Sequence, residues 1–286
     1  MQISETDLIL NSDGSIYHLN LLPEDVAETV ITVGDQDRVA EVSKYFDRID
    51  LKKGKREFLT HTGWLGKKRI TVVSTGIGTD NIDIVLNELD ALVNVDFATR
   101  MVKDNLTGLN LIRIGTSGAL QADIALDSVL VSEYALGFDA LMNFYPKENP
   151  TAEIGLLNYI DAVFTGINLP KPYLTAAGFG LMNKIGFGLP CGITATAPGF
   201  YAPQGRQVRA ENVVTDFLHQ LQAFQYQQQK ITNLEMETAG IYALAKVLGH
   251  QALSVNVILA NRANQKFSKN PQQAVDQAIR LVLNRI

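Results

Sequence analysis

A short apolar strand runs directly into a glycine-rich segment in Leu111-Ile-Arg-Ile-Gly-Thr-Ser-Gly-Ala-Leu120. The pattern predicts a strand over Leu111–Ile114 and a turn at Gly115–Gly118. The guanidinium of Arg113, two hydroxyl groups and backbone N–H groups would converge at such a turn. This combination predicts an anion site, and the alternative is a common glycine turn with Arg113 paired to a structural carboxylate.

A second strand end repeats this chemistry in Thr29-Val-Ile-Thr-Val-Gly-Asp-Gln-Asp-Arg38. An apolar strand again ends at a glycine, and the pattern predicts a helix that opens with Asp37 and carries Arg38 in its first turn. Aspartate at a helix start is ordinary capping chemistry. Arg38 differs, because a cation near a helix N-terminus opposes the helix dipole unless an anion binds there. Two strand ends therefore each offer a glycine and an arginine.

The composition favours one large α/β protein. The chain has 286 residues, 46% of them hydrophobic, and no composition change marks a linker, so we predict a single domain over residues 1–286. The net charge of -5 argues against nucleic acid as a partner. One cysteine excludes an intrachain disulfide framework, and neither a membrane span nor a signal segment is found. We expect a cytoplasmic protein.

Short β-rich runs alternate with helical patterns, which predicts an α/β fold with a largely buried sheet. The predicted strands are Val30–Val33, Ile70–Thr75, Leu111–Ile114, Ser128–Glu133 and Val255–Ala260. Helices are predicted behind the pair Asp80-Asn81, from about Leu234 to Leu248, and over Gln272–Ile286. Residues 143–188 show few clear periods, so they are predicted to be irregular and receive no function.

Gly76-Ile-Gly78 follows a predicted strand and precedes a helix, which is the place of a dinucleotide-binding turn. Asn81 stands where that motif has its third glycine, and no acidic residue follows in the expected setting. A dinucleotide site is therefore disfavoured.

Two carboxylates flank a methionine in Asn233-Leu-Glu-Met-Glu-Thr-Ala-Gly240. We predict that this segment starts a helix with Glu235 and Glu237 in its first turn, where solvated glutamates are common. A sugar site is the other interpretation. A carboxylate accepts hydrogen bonds from two neighbouring hydroxyls, while the thioether of Met236 packs on the apolar side of a sugar ring.

Several motifs occur together and in a fixed order, namely Gly34-Asp-Gln-Asp-Arg38, Arg56-Glu-Phe58, Ser74-Thr-Gly-Ile-Gly78, Arg113-Ile-Gly-Thr-Ser-Gly118 and Glu235-Met-Glu-Thr-Ala239. In this order they resemble nucleoside phosphorylases of the uridine phosphorylase type, over nearly the whole chain. The resemblance implies a three-layer α/β/α domain with a mixed central sheet. It implies that phosphate is held by Gly34, Arg38, Arg113, Thr116 and, from a neighbouring subunit, Arg56. It implies that ribose is held by Met236, Glu237 and, from the partner chain, His18.

The base is addressed by Phe200-Tyr-Ala-Pro-Gln-Gly-Arg206, whose spacing resembles the uracil-recognition segment of uridine phosphorylases. The amide of Gln204 both donates and accepts, so it can match N3–H and an adjacent carbonyl of uracil, while Arg206 donates to a carbonyl and Phe200 stacks on the ring. An ordinary exposed loop is the alternative. Purine-cleaving relatives tend to carry an Asp after the late strand, where this chain has Ala260-Asn-Arg262, and Arg262 suits a uracil oxygen.

The implied reaction is reversible phosphorolysis of uridine to uracil and ribose 1-phosphate. Catalysis would rest on positioning and on electrostatic stabilisation, with Arg113, Thr116, Arg206 and Arg262 as the catalytic group. Phosphate is the co-substrate and no cofactor is required. A purine nucleoside phosphorylase or nucleosidase, and a non-catalytic nucleoside- or phosphate-binding protein, remain as alternatives.

The resemblance also implies a monovalent-cation (K⁺) site formed by Glu57, the Ile77 carbonyl and residue 81. Relatives often read Gly-Gly-Pro-Ser here, whereas this chain has Gly78-Thr-Asp-Asn81, and Asn81 still offers a carbonyl oxygen. Because Arg56 and His18 would act across an interface, the minimal unit is expected to be a homodimer, with a hexamer as the larger option. The alternative for His18 is an exposed histidine in a mobile N-terminal segment.

Overall fold

Strands and helices alternate along the chain in the computed structural model, which describes residues 2–146, 151–167 and 169–286. The strands are β1 (Thr29–Val33), β2 (Arg48–Lys55), β3 (Phe58–Leu65), β4 (Lys68–Ser74), β5 (Val95–Asp96), β6 (Met101–Val102), β7 (Asn110–Ala119), β8 (Val129–Gly137), β9 (Tyr173–Ala176), β10 (Cys191–Thr196), β11 (Gln225–Tyr226), β12 (Gln229–Glu235), β13 (Gln251–Asn261) and β14 (Lys266–Phe267). The helices are α1 (Gln36–Ser43), α2 (Thr79–Asn94), α3 (Thr151–Phe164), α4 (Phe179–Leu181), α5 (Phe217–Ala223), α6 (Thr238–Val247) and α7 (Pro271–Arg285).

The central sheet is mixed. Its strand order is β11-β12-β10-β8-β13-β7-β1-β4-β3-β2, with β9 paired to β8 and β14 paired to β13. Strand β1 runs parallel to both β4 and β7, and β7 runs parallel to β13. The hairpin strands β2, β3 and β4 are antiparallel. All five strands predicted from the sequence belong to this sheet.

Helices cover both faces of the sheet. Because side chains alternate along a strand, neighbouring residues of β1 enter different cores. Val30 packs in the core that contains α2 and α6, whereas Ile31 packs in the core that contains α1 and α7. Strand β7 is divided in the same way, with Leu111 in the first core and Ile112 in the second. The predicted three-layer α/β/α architecture is confirmed.

Part of the sheet closes on itself. Strand β7 pairs along its length with β13, and its last residues, Gly118 and Ala119, also pair with Leu234 and Asn233 of β12. The strands β7, β13, β8, β10 and β12 therefore form a closed ring, which we call the strand barrel. Side chains that point into such a barrel are shielded from water on all sides.

Strand β7 does not end where the sequence predicts. It continues through Gly115–Gly118 to Ala119, so the predicted turn is wrong. Gly115 does not adopt a left-handed φ. Instead, a Cβ atom at Gly115 would lie 1.8 Å from Nη1 of Arg113, two residues earlier on the same face of the strand. The glycine leaves room for the guanidinium group, and it does not bend the chain.

The helix predicted from about Leu234 begins later than expected. Strand β12 extends to Glu235, and α6 starts at Thr238 with Glu237 as its N-cap residue. The two glutamates are therefore not first-turn residues of a helix, and they lie in a tight connection between strand and helix. The helix predicted behind Asp80-Asn81 and the C-terminal helix are both present, as α2 and α7.

Residues 143–188 are more regular than predicted, because α3, β9 and α4 lie in this region. Residues 147–150 and 168 lie outside the described residues. The inner face of α3 carries Leu156, Ile160 and Phe164, which are buried in one core cluster. Its outer face also carries apolar side chains, such as Tyr159, so the polar contrast that reveals a helix is weak. Among the described residues, the helices are too short or too polar to cross a membrane.

Candidate active site

A cavity of about 990 Å³ opens where strand ends of the central sheet meet. Most of the residues predicted for the site line it, namely Gly34, Arg38, Glu57, Ile77, Asn81, Arg113, Thr116, Phe200, Gln204, Arg206, Met236 and Glu237. Three predicted residues are not part of this lining, namely His18, Arg56 and Arg262. Ligand sites at the carboxyl ends of strands are typical of α/β sheets.

The N-terminus of α1 faces this cavity and brings Arg38 with it. Asp35, and not Asp37, caps the helix, since its carboxylate accepts a hydrogen bond from the backbone N–H of Asp37 at 3.0 Å. Burial lowers the pKa of Arg38, and the positive charge of Arg113 lowers it further. An anion between these two guanidinium groups would relieve both effects.

Arg113 is held in the barrel by two carboxylates. Its Nη2 atom lies 2.6 Å from an oxygen of Glu237 and 3.0 Å from an oxygen of Glu235, and the arginine is only 6% exposed. Burial disfavours the charge on Arg113, but the two carboxylates outweigh it and raise its pKa. Burial also raises the pKa of Glu237, although Arg113 opposes this shift. The cation and the carboxylates therefore depend on one another for their charges.

Glu237 also ties this cluster to the turn before α2. Its second oxygen accepts a hydrogen bond from the backbone N–H of Gly78 at 2.9 Å. Gly78 has a φ of 97°, a conformation that side chains rarely adopt, and it is the N-cap residue of α2. The carboxylate predicted to bind ribose is thereby fixed by contacts from the interior of β7 and from the turn before α2.

Glu235 has a structural role that the sequence did not reveal. Its buried carboxylate accepts hydrogen bonds from Oγ1 of Thr196 at 2.6 Å, from the backbone N–H of Glu237 at 2.9 Å, and from the N–H and hydroxyl groups of Thr238, both at 2.9 Å. These bonds fix the turn that presents Met236 and Glu237 to the cavity. A glutamate three residues before Thr238 at a helix start was the available signal, because carboxylates commonly cap orphan N–H groups.

The end of the cavity that is predicted to hold the base, which we call the base end, is formed by a loop. Gln204 is 3% exposed, and its Oε1 atom accepts a hydrogen bond from Nη1 of Arg206 at 2.5 Å. The same nitrogen donates to the backbone carbonyl of Phe200 at 2.7 Å, and the guanidinium carbon lies 3.9 Å from the centre of the Phe200 ring. Arg206 thus contacts both other residues of the predicted motif directly.

Arg262 supports this loop from behind. Its Nη1 atom donates to the backbone carbonyl of Gln204 at 3.1 Å, so its present contact is with the protein backbone. Burial lowers the pKa of Arg206 to about 10, and the charge of Arg262 contributes to this shift. The base end is therefore electropositive, which suits a leaving group that departs as an anion.

Asn261 lies in the Ala260-Asn-Arg262 segment, which was compared above with the Asp-bearing segment of purine-cleaving relatives. Its amide donates to the backbone carbonyls of Gln121 at 3.0 Å and Ile124 at 2.8 Å, and its oxygen accepts from the N–H of Asn264. These hydrogen bonds hold the side chain within the protein at the end of β13. It holds no acidic proton for N7 of a purine.

His18 and Arg56 lie next to each other on the surface, outside the cavity lining. The ring of Tyr17 lies 4.8 Å from the His18 ring and 5.9 Å from the guanidinium carbon of Arg56. His18 is half-buried, and its Nδ1 atom lies 2.6 Å from a carboxylate oxygen of Glu88. Thus His18 is held in place by the fold, unlike an exposed histidine in a loose terminal segment.

The residues of the predicted cation site are adjacent. A Cβ atom at Gly76 would lie 2.4 Å from Nδ2 of Asn81 and 3.2 Å from Cγ of Glu57, so these side chains flank the same turn. Within residues 2–146, 151–167 and 169–286, no group of three His, Cys, Asp or Glu side chains is arranged to hold a metal. Binding of K⁺ to the single carboxylate of Glu57 stays a prediction.

Comparison with known proteins assigns the family. The chain is 29% identical to the uridine phosphorylase of Thermococcus kodakarensis over 264 residues, which cover 90% of this chain and 81% of that protein. It is 28% identical to the uridine phosphorylase of Escherichia coli, over 95% of this chain and 97% of the relative.

The structural match extends over nearly the full length. A nucleoside phosphorylase of Trypanosoma brucei, whose crystal structure is described as showing uridine phosphorylase activity, superimposes with a TM-score of 0.88 and 28% identity, covering 98% of this chain and 99% of that one. Residues 28–286 match the family model described as the phosphorylase superfamily. These matches confirm the resemblance to nucleoside phosphorylases, and the chain belongs to the phosphorylase superfamily.

Proposed function

We propose that this protein is a uridine phosphorylase, a pentosyltransferase that converts uridine and phosphate to uracil and ribose 1-phosphate and catalyses the reverse reaction. One observation carries the proposal. The Phe200, Gln204 and Arg206 cluster lines the same cavity as Arg38 and Arg113. An anion site and an amide–guanidinium site therefore face one ligand space, which suits a nucleoside and phosphate bound together.

The phosphate end of the proposal rests on the two arginines. Arg38 lies in the first turn of α1 and Arg113 lies in the strand barrel, and both line the cavity. A phosphate dianion bound there would meet two cations and a helix N-terminus. Gly34 and Thr116 line the same part of the cavity and offer backbone N–H and hydroxyl donors. Arg56, supplied by a second copy, would complete this set.

The ribose would lie against Met236 and Glu237. The carboxylate of Glu237 is already oriented by Arg113 and by the backbone N–H of Gly78, so it does not need to reorganise when sugar hydroxyls arrive. His18 of a second copy, oriented by Glu88, would contact the sugar from the other side.

The chemical step needs no protein nucleophile. A phosphate oxygen attacks C1′ as the bond between C1′ and N1 breaks, the bonding electron pair leaves with the uracil ring, and the sugar passes through an oxocarbenium-like state. Arg206 would stabilise the negative charge on the departing uracil, and Arg262 would hold the loop in place. The uracil anion then takes a proton from water.

The assembly, location and ion requirement complete the proposal. We take a homodimer as the minimal active unit, with a hexamer as the larger form, because His18 and Arg56 lie outside the cavity of their own chain. The protein would work in the cytoplasm, with nucleoside and phosphate as its ligands and with K⁺ at Glu57, Ile77 and Asn81.

The decisive experiment measures release of free base from uridine, thymidine, inosine and adenosine, with and without phosphate, by chromatography. We expect uracil from uridine only when phosphate is present. Release of purine bases would contradict the assignment of the base, and release without phosphate would identify a nucleosidase. Calorimetric binding of uridine and phosphate with no product would indicate a non-catalytic binding protein.

Oligomeric state is tested by dilution. If Arg56 and His18 act across an interface, specific activity should fall as the protein dissociates. Activity that stays constant down to a verified monomer would contradict the shared site.

A further inference from the structure

A continuous chain of buried polar side chains begins at Arg113 and runs across the interior of the strand barrel. Nη1 of Arg113 donates to Oδ1 of Asn256 at 3.1 Å, and Nδ2 of Asn256 donates to Oγ of Ser132 at 3.0 Å. Ser132 and Thr194 join their hydroxyl oxygens at 2.5 Å, and Thr194 donates to Oδ1 of Asn233 at 2.8 Å. We call the four residues after Arg113 the polar chain.

The polar chain has one direction of donation. Because the hydroxyl proton of Thr194 is used toward Asn233, Ser132 must donate in the Ser132–Thr194 pair. Since the proton of Ser132 is used in that pair, its oxygen can only accept from Asn256, and Nδ2 of Asn256 is the donor. The four side chains are fully buried, so water cannot replace any of these partners.

This arrangement fixes the orientation of the Asn256 amide. Its Nδ2 atom contacts Oγ of Ser132 at 3.0 Å and Oγ of Ser254 at 3.3 Å. With the nitrogen held on that side, the amide oxygen must face Arg113. A flipped amide would place an NH₂ group against a guanidinium group, where neither could accept a hydrogen bond.

Asn256 in turn fixes the orientation of Arg113. Glu235 and Glu237 both contact Nη2, and Asn256 contacts Nη1 on the other branch of the guanidinium group. Held at both branches, the planar group cannot pivot, and none of these contacts uses the Nε–H donor. Without Asn256, Nη1 would keep only a longer contact with Oγ of Ser254, at 3.5 Å, and the two carboxylates would hold Nη2.

We propose that Asn256 is a positioning residue for phosphate, which holds the guanidinium of Arg113 in the orientation that binds the anion. The inference rests on the proposed function, because it takes phosphate as the ligand of Arg113. Asn256 itself is fully buried in the barrel and acts through Arg113. Its loss should therefore weaken phosphate binding selectively and leave recognition of the nucleoside largely intact.

The test measures binding of inorganic phosphate by calorimetry, together with KM for phosphate and KM for uridine. In Asn256→Ala, the hydrogen bond to a charged group is lost, so we expect phosphate affinity to fall at least tenfold and KM for uridine to change less than twofold. The Asn256→Thr variant should show the same changes in phosphate affinity and KM. Threonine favours strands and refills part of the space, but its side chain does not reach Arg113. The threonine variant replaces Asn256→Ala in these measurements if the alanine variant does not fold.

Thr194→Val is the matched control. It removes the two buried hydrogen bonds of Thr194, with Ser132 and with Asn233, but it leaves the contacts of Asn256 with Arg113, Ser132 and Ser254 in place. We expect a loss of thermal stability comparable to that of the Asn256 variants, with phosphate affinity within twofold of the unaltered protein.

The possible results distinguish failure of the positioning role of Asn256 from failure of the proposed function. Unchanged phosphate affinity in folded Asn256 variants, or an equal loss in Thr194→Val, would overturn the positioning role. If the unaltered protein binds no phosphate, the proposed function fails, and the inference fails with it.

Discussion

The two ends of the cavity are built in different ways. The phosphate end lies on strands, where Arg113 is buried and ion-paired with Glu235 and Glu237. The base end lies on a loop, where Arg206 is half-buried and donates hydrogen bonds to Gln204 and to the carbonyl of Phe200. Arginine is the main cation at both ends, but only at the phosphate end is it part of the folded core.

This difference separates stability from recognition. Substitutions at the phosphate end remove partners from buried charges, so they damage the fold and the site together. Arg206, in contrast, is half-buried and bonds to neutral groups, so its substitution leaves no buried charge behind and should change the ligand contacts at less cost to the fold. Variants at the two ends should therefore differ in stability more clearly than in activity.

The largest effect is expected for Arg113→Ala. Phosphorolysis should fall about 10³-fold because a donor to the anion is lost. The free energy of unfolding should also fall, by about 3 kcal/mol, because Glu235 and Glu237 remain buried without their cation. Initial rates and urea unfolding check both effects. A variant as stable as the unaltered protein would mean that the ion pairs do not support the fold.

Arg206→Ala should affect activity alone. We expect kcat/KM for uridine to fall about 10²-fold, since the charge on the departing uracil loses its donor. KM for phosphate and the urea midpoint should stay close to those of the unaltered protein. Equal losses of phosphate and uridine affinity would show that the two ends are not independent.

Gly115→Ala tests the phosphate end without removing a charged group. The new methyl group would collide with the Arg113 guanidinium, whose Nη1 atom lies 1.8 Å from the ideal Cβ position. Displacing a packed side chain costs about 2 kcal/mol, so phosphate affinity should fall about 30-fold. Gly118→Ala is the matched control on the same strand, because its nearest atom would lie at an ordinary 3.6 Å. Similar losses in both variants would contradict the steric explanation.

The smallest effect is expected far from the cavity, at Asp276→Asn. The Asp276 carboxylate accepts hydrogen bonds from Lys44 and Tyr45, both at 2.6 Å, and from Arg280 at 2.9 Å, and these contacts lower its pKa to about 2. Because the cluster is exposed to water, the variant should lose less than about 1 kcal/mol of stability, with phosphorolysis unchanged.

The same variant has a defined pH dependence. The folded-state pKa of Asp276 is depressed, so its contribution is present above the ordinary value of 3.8 and disappears as the pH falls toward 2. Urea unfolding of the two proteins at neutral and at acidic pH should show their stabilities converging in acid. A difference that persists in acid would assign the effect to packing.

The sequence predicted the strands whose side chains are apolar. Val30–Val33 and Ile70–Thr75 were found because buried strands of a parallel sheet appear as continuous apolar runs. It did not show which polar side chains are interior. Asn233, Thr194 and Asn256 are buried inside the barrel, although polar side chains on a strand more often face solvent.

Contacts between side chains are not visible in the sequence, and this explains the errors at the site. Gly115 was interpreted as a turn glycine, since sequence alone does not show that a guanidinium from Arg113 needs the space above it. Glu235 was assigned to a helix, because its partner Thr196 is brought to it by the pairing of β10 with β12 and not by local spacing. The residues of the Phe200 to Arg206 motif do come together, because their contacts lie within one short loop, and their role in binding the base stays a prediction.

Tyr242 links helix α6 directly to the central sheet. Its hydroxyl donates to the carbonyl of Ser132 and accepts from the N–H of Ser254, both at 2.8 Å, beside the point where β8 and β13 pair. Amide hydrogen exchange in α6 should therefore require the opening of two strands and proceed on the timescale of global unfolding. The segment around Val208 and Val213, whose side chains are exposed, should exchange early.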